Sequence, residues 1–325
     1  MITVYDTACG SKNLGDQIIM ESVVRELAAI FPHSHLVTYP THYPLSRHAL
    51  RKAWANQLAF VGGTNILRNK RRFRAHRNPW SLAFLDARRM TPAIFMGVGA
   101  FKYSGAPDWK ARWFYQRALS HSWIHSVRDN YTLCQLLQMG VNNVMNTGCP
   151  TMWCLTDEHC RNIPYSRANN VIFTLTDYHQ DYVSDKALVA ILLKSYEGVF
   201  FWPQGSGDLA YVKKLMRDDW HARITIIPSH LQAFDSLLEH SHSLDYVGTR
   251  LHAGIRALQK SRRTIIVGID NRALEKQRDF NLKVCHRNNA VALTEAIEGS
   301  FQTQIRLPSE CIEKWKLQFD GWQQV

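Results

Sequence analysis

Short runs of β-branched and aromatic residues alternate along most of the chain with stretches in which apolar positions recur every three or four residues. Runs of the first kind suit strands buried in a parallel sheet and those of the second suit amphipathic helices, so the rhythm predicts a βαβα order. Strands are predicted over 2–5, 36–39, 58–61, 93–96, 124–127 and 143–145, with helices over 16–30, 108–121 and 131–139. After Pro150 the rhythm lapses. It resumes with strands over 171–176, 199–202, 223–227, 245–247, 264–267 and 282–285, and with helices over 185–196, 209–218, 231–240, 251–260 and 290–298. The pattern predicts an α/β protein with two Rossmann-like doubly wound lobes facing a central cleft, one over 1–155 and the other over 156–300. A last segment, 301–325, contains a predicted helix over 308–322. Its stripe of Trp315, Phe319 and Trp322 at i, i+4 and i+7 reads as packing, expected to lie across the two lobes.

Unusual residues gather just beyond the predicted strands. Asn13-Leu14-Gly15-Asp16 follows the first, Gly62-Gly63-Thr64-Asn65 the third, Gly97-Val98-Gly99 the fourth and Arg128-Asp129 the fifth. The second half repeats the habit with Gln204 to Asp208, Thr249-Arg250-Leu251-His252 and Gly268-Ile269-Asp270. Open α/β sheets bind ligands at the carboxyl ends of their strands, so this distribution marks a candidate site. Glycines at 15, 62, 63, 97 and 99 suit a close approach of backbone amides to an anion. Neither a phosphate-loop motif nor a dinucleotide fingerprint is present, which argues against ATP or NAD as cofactor. Arg250 offers a planar fork of donors for carboxylate or phosphate, and two positions on stands His252, a residue type able to move a proton near neutral pH. Plainer roles compete: Thr249 as a helix cap beside a packed histidine, Asp16 as a first-turn carboxylate, and Arg128 with Asp129 as a local ion pair. Against the last, an arginine buried at a strand end needs a partner, which a bound anion would supply.

Charge narrows the partners. The net charge of +12 favours acidic ligands, and six of the ten residues from Arg68 to Arg77 are Lys or Arg. Arg68, Lys70, Arg71, Arg72, Arg74 and Arg77 are read as a solvated loop, or else as the contact for an anionic acceptor or membrane leaflet. Seven cysteines, without the spacing of a disulfide scaffold or a zinc cluster, suit a cytosolic, metal-independent protein. The chain begins without a basic, then apolar, leader, and no apolar run approaches a bilayer span, so a cytoplasmic location is expected, with peripheral membrane contact at most.

Taken in order, Asn13-Leu14-Gly15-Asp16, Gly62-Gly63-Thr64-Asn65, Gly97-Val98-Gly99, Ser126-Val127-Arg128-Asp129, Gly148-Cys149-Pro150 and Thr249-Arg250-Leu251-His252 resemble the polysaccharide pyruvyltransferases. The resemblance runs from about residue 10 to residue 280 and implies a GT-B-like fold. It implies transfer of pyruvate from phosphoenolpyruvate, a co-substrate with no cofactor, onto a sugar as a cyclic ketal in surface polysaccharide biosynthesis. It further implies donor binding by Arg128, Arg250 and Leu251, with His252 as the acid that protonates the methylene carbon and Asp16 as the group that activates an acceptor hydroxyl. Asn13, Gly63, Asn65, Gln204, Thr249 and Asp270 complete the candidate set as donor or acceptor contacts. Two departures are visible: the glycine loop reads Gly62-Gly63-Thr64 where relatives carry three glycines, and Arg272 and Lys276 stand where relatives carry an earlier lysine. The acceptor sugar is expected to be nucleotide-linked or lipid-pyrophosphate-linked. The alternative enzyme is a glycosyltransferase using a nucleotide sugar. A third reading, a non-enzymatic binder of acidic polymers through 68–77 and Lys260-Ser261-Arg262-Arg263, lacks any nucleic-acid motif, and no nucleic-acid partner is expected.

Overall fold

The computed structural model describes residues 1–322, so the end of the predicted segment 301–325 lies outside the described residues. The chain forms two compact units. The first comprises residues 1–11, 19–153 and 307 onward, and the second comprises 12–18 and 154–306. Residues 12–18 join the second unit by backbone bonds, Leu14 N donating to Gln204 O and Ser206 N to Lys12 O, both at 3.0 Å.

In the first unit, strands β1 (Ile2–Asp6), β2 (Leu36–Pro40), β3 (Leu58–Gly62) and β5 (Ala93–Met96) form a parallel sheet in the order β2-β1-β3-β5. Short strands β4 (Asn65–Leu67) and β6 (Gly99–Ala100) pair with each other, as do β7 (His125–Val127) and β8 (Val144–Asn146). Gly97 N donating to Ser126 O at 3.0 Å brings β7 alongside the end of β5. Residues of β3 and β5 alternate between two apolar clusters, as the two-residue period of a strand requires. Ala59, Val61, Ala93 and Phe95 face one cluster with Trp80 and Phe114, while Phe60, Ile94 and Met96 face the other with Met20 and Val23 of α1 (Leu14–Ile30). Both sheet faces are thereby covered, which is why these strands read as unbroken apolar runs.

Between these strands lie the short α2 (Arg47–Ala53), α3 (Trp109–Ala118) and α4 (Asn130–Gln138). In the second unit, after α5 (Asp157–Arg161), strands β9 (Asn170–Thr174), β10 (Gly198–Phe201), β11 (Ile224–Ile226), β12 (Leu244–Gly248), β13 (Thr264–Gly268) and β14 (Val284–His286) form one parallel sheet. Its order is β11-β10-β9-β12-β13-β14, so the winding reverses between β9 and β12. The helices are α6 (Tyr182–Ser195), α7 (Asp208–Leu215), α8 (Asp218–His221), α9 (Leu231–His240), α10 (Leu251–Gln259), α11 (Asn271–Phe280) and α12 (Ala290–Glu298). The last, α13 (Ser309–Leu317), is shorter than the predicted 308–322. Trp315, Phe319 and Trp322 make ring contacts with Phe31, Phe60, Trp123 and Trp153, all within the first unit. No helix among the described residues is long and apolar enough to cross a membrane.

Two basic stretches differ from their sequence reading. Arg263 is buried rather than on a surface patch: it donates to Asp245 and to the carbonyls of Ala296 and Gly299, each at 2.7 Å. Arg71 is also internal, donating to Leu82 O at 2.9 Å with its guanidinium carbon 3.2 Å from the centre of the Phe114 ring. Burial lowers Arg71 to about 10. Arg68 is half-buried, its guanidinium carbon 4.2 Å from the centre of the Phe101 ring, while Lys70, Arg72, Arg74 and Arg77 are exposed, so Arg71 leaves the proposed contact set because its charge serves the core.

His125 is fully buried at the start of β7. Its Nδ1 accepts from Phe95 N at 3.2 Å and its Nε2 donates to Ser120 O at 2.9 Å, which fixes a neutral ring. Burial pushes it down to about 4. The unfolded chain takes up this proton near pH 6.5 and the folded one does not, so His125 supports stability fully above that pH and loses its contribution as pH falls toward 4. The loss amounts to roughly 3 kcal/mol. The thermal midpoint of the protein is therefore expected to fall between pH 6.5 and 4.5 more steeply than that of a His125→Asn variant; parallel pH slopes would refute the assignment.

Candidate functional site

The point where the second sheet reverses its winding carries a cluster of polar side chains. Thr176, beyond β9, and Thr249, beyond β12, share a hydroxyl hydrogen bond of 2.8 Å. One step on, Arg250 is the N-cap of α10 and is buried, at 4% exposure. Its Nε donates to Asp208 Oδ2 at 2.9 Å, and its Nη2 reaches Asp177 Oδ1 at 2.9 Å as well as Asp208 Oδ1. Nη1 makes no hydrogen bond among the described residues. The expected need for an anion is met in part by the protein's own carboxylates. Burial pushes the Asp208 carboxyl above its ordinary value, while Arg250 pulls it back. Gly205 lies so close that a Cβ there would overlap the guanidinium, which explains a glycine in this loop.

Tyr178 lies beside Arg250, 5.0 Å from ring centre to guanidinium carbon, and bonds Arg272 through its hydroxyl. Arg272 in turn pairs with Asp270, the N-cap of α11, whose carboxylate accepts from Arg272 N at 3.0 Å. Asp270 is thus tied to the cluster through Arg272 and Tyr178.

Gln204 links two further candidates. Its Oε1 accepts from Ala253 N at 3.2 Å in the first turn of α10, and its Nε2 donates to Asn13 Oδ1 at 2.7 Å. Asn13 Oδ1 also accepts from Gly15 N at 3.1 Å. Leu251 and His252 occupy the same first turn of α10, each 7% exposed, and Asp16 is in the first turn of α1 within residues 12–18. The second unit therefore holds Asn13, Asp16, Gln204, Thr249, Arg250, Leu251, His252 and Asp270.

The first unit holds a separate cluster. Arg128, 4% exposed, pairs with Asp129 through Nε at 3.1 Å and donates from Nη2 to Ala100 O at 3.3 Å. Asp129 is also the N-cap of α4, accepting from Thr132 N at 2.8 Å, so the local ion pair and the cap are both real. The guanidinium lies against the Cα of Gly99, where a Cβ would overlap it. Asn65 is the register partner of Gly99, and its Oδ1 is buried without a hydrogen bond among the described residues. Gly63 is packed where a Cβ would come within 2.8 Å of Gly97 O. The amides of Gly97 and Gly99 donate to Ser126 O and Thr64 O, at 3.0 and 2.8 Å. The amides of Gly97 and Gly99 are thus taken up by the backbone and are not free to cradle an anion, a correction to the sequence reading for these two glycines.

Sequence reasoning missed Asp177, Tyr178 and Thr176. They follow a strand without a glycine or a motif, and only the pairing of β9 with β12 places them beside Arg250. Asp208 stood in a loop already singled out, but nothing in the sequence paired it with a residue 42 positions away.

Comparison with solved structures places the fold. The chain superposes on UDP-GlcNAc 2-epimerase from Neisseria meningitidis with a TM-score of 0.50 at 14% identity, covering 97% of this chain and 93% of the other. It superposes on S. aureus MnaA with a TM-score of 0.52 at 11% identity, covering 98% and 89%. These likenesses show the fold alone, an α/β fold with parallel sheets of the GT-B type. No curated protein matches the sequence. The model of the polysaccharide pyruvyl transferase family, however, matches residues 13–271. That span takes in both clusters from Asn13 to Asp270, and the chain belongs to the polysaccharide pyruvyl transferase family.

Proposed function

We propose that this transferase moves the pyruvyl group of phosphoenolpyruvate onto two hydroxyls of a sugar, forming a cyclic ketal, in surface polysaccharide biosynthesis. The observation that carries the reading is the family match across the residues that build both clusters. The geometry of the second unit suits a small dianion. The first turn of α10 directs the positive end of its dipole to the point where Thr176, Thr249 and Arg250 gather, and Nη1 of Arg250 is open to an oxygen ligand. Asp208 and Asp177 hold the fork in one orientation, so its binding geometry is set before the donor arrives.

In this reaction His252 gives a proton to the methylene carbon of the enol phosphate, and the central carbon becomes an electrophilic oxocarbenium. A sugar hydroxyl adds there and its proton passes to a base, the role assigned to Asp16. The carbon–oxygen bond to phosphate then breaks, phosphate leaves with the electron pair and takes the proton held by Asp16, and the second hydroxyl closes the ketal, its proton returning the imidazole to its starting state. Arg250 in the second unit binds an anionic group of the donor and stabilises the departing charge, and Arg128 in the first unit is proposed as a further anion-binding residue for the reaction. Leu251 and Thr249 shape the donor pocket. Asn13, Gln204 and Asp270 position it. In the first unit Asn65 Oδ1, a buried acceptor without a donor among the described residues, takes a hydrogen bond from a sugar hydroxyl beside Gly63.

Incubation with phosphoenolpyruvate and nucleotide-linked or lipid-pyrophosphate-linked sugars is expected to release phosphate and form an acid-labile ketal; turnover only with a nucleotide sugar as donor would sink the proposal. His252→Ala is expected to lower kcat by about 10²–10⁴ with the fold intact, by calorimetry and circular dichroism. Gly99→Ala displaces the Arg128 guanidinium and is expected to reduce kcat/KM by about a hundredfold, whereas Gly105→Ala, where a Cβ meets open space, leaves it unchanged. Asp208→Ala leaves a buried arginine short of its main partner, and a loss of about 3–5 kcal/mol in unfolding free energy of the second unit is expected. An unfolding curve superposable on that of the wild type would show that Arg250 does not depend on Asp208.

A further inference from the structure

Residues 68–117 of the first unit contain twelve Lys or Arg and only two acidic residues, Asp86 and Asp108, which makes this stretch the source of most of the chain's net charge of +12. Both acids have local structural tasks, Asp86 accepting from Ala83 N at 2.8 Å and Asp108 from Ala111 N at 2.7 Å. The basic segment is not a loose tail. Arg71 is anchored in the core, and Asn78 binds it from the other side, accepting from Arg72 N and donating to the carbonyls of Arg72 and Arg74, each at 2.9 Å. A built loop of this kind holds its outward cations in one place.

Those cations surround exposed apolar side chains. Arg72, Phe73, Arg74, Arg77 and Lys110 line one depression of about 240 Å³. Phe73 is 52% exposed, Trp109 63% and Leu85 62%, unusual values for large apolar residues; the Phe73 and Trp109 rings are 6.3 Å apart, Phe84 touches both, and Leu85 follows Phe84 in the same short helical turn. The Lys110 ammonium lies 4.4 Å from the Phe73 ring. Aromatic and aliphatic side chains ringed by Lys and Arg suit the boundary between lipid headgroups and acyl chains. Nucleic acid is a poorer fit, because the two exposed rings, Phe73 and Trp109, meet edge to face at 61° and do not form a parallel platform for successive bases.

We infer that this face of the first unit docks on an anionic phospholipid surface, with Phe73, Leu85 and Trp109 entering the interface and Arg72, Arg74, Arg77 and Lys110 binding headgroup phosphates. The inference is independent of the reaction proposed above, and it brings a transferase to the membrane at which a lipid-linked acceptor would be found.

Cosedimentation with phosphatidylcholine vesicles, with and without phosphatidylglycerol, tests it on the full chain. Pelleting is expected only with the anionic vesicles and weaker as salt is raised. Arg72→Glu/Arg74→Glu/Arg77→Glu is expected to lower partitioning by roughly fivefold for each cation removed, with an unchanged melting curve because these side chains are outside. Should the triple variant fold poorly, Trp109→Ser alone is expected to retain low-salt binding and lose the salt-resistant fraction. Equal pelleting with neutral vesicles, no pelleting at all, or wild-type partitioning of these variants would overturn the proposal. Displacement from vesicles by an equimolar short DNA duplex would reassign the face to nucleic acid.

Discussion

The Arg250 guanidinium, buried at the end of β12 and held by Asp208 and Asp177, is the constraint around which the second unit is arranged. A cation taken out of water this completely is tolerated only with opposite charge in good geometry, and the two carboxylates come from the turn after β9 and from the first residue of α7, after β10. Meeting that demand ties three strand ends of one sheet to each other. Tyr246 adds a fourth bond, its hydroxyl donating to Arg250 O at 2.7 Å, so backbone and side chain of the same residue are both fixed. The first turn of α10, with Leu251 and His252, inherits its position from this arrangement.

The first unit solves a related problem with fewer charges. Arg128 lies flat on the Cα of Gly99, with Asp129 on one side and the Ala100 carbonyl on another. In both units the glycine nearest the arginine is needed because a side chain would take the space of the guanidinium, as at Gly99 and Gly205. The same economy appears in the core, where Arg71 and Arg263 each donate to two or more backbone carbonyls. An arginine-rich composition therefore splits into internal braces and an outward basic face, two uses that net charge cannot tell apart.

Much of the architecture was legible from local pattern. Strands such as Ala93–Met96 and helices such as Leu231–His240 and Ala290–Glu298 coincide with the apolar periodicity, because each is buried on the faces its pattern declares. The helix Asn271–Phe280 was not read, since its composition is strongly polar and its stability rests on the Asp270 cap and on packing at few positions. Short strands Asn65–Leu67 and Gly99–Ala100 are held by pairing rather than propensity, and a two- or three-residue run carries too little pattern to declare itself.

The candidate site divides along the same line. Its residue types and their order, from Asn13 through Arg128 to His252, were set by the sequence, since a family signature is a property of the chain's order. Which carboxylates meet Arg250, which glycine lies under Arg128, and that Arg71 and Arg263 point inward were decided only by the tertiary structure. Ion pairs and close packing join residues far apart in the chain, and their stability depends on a burial and geometry that no local window contains.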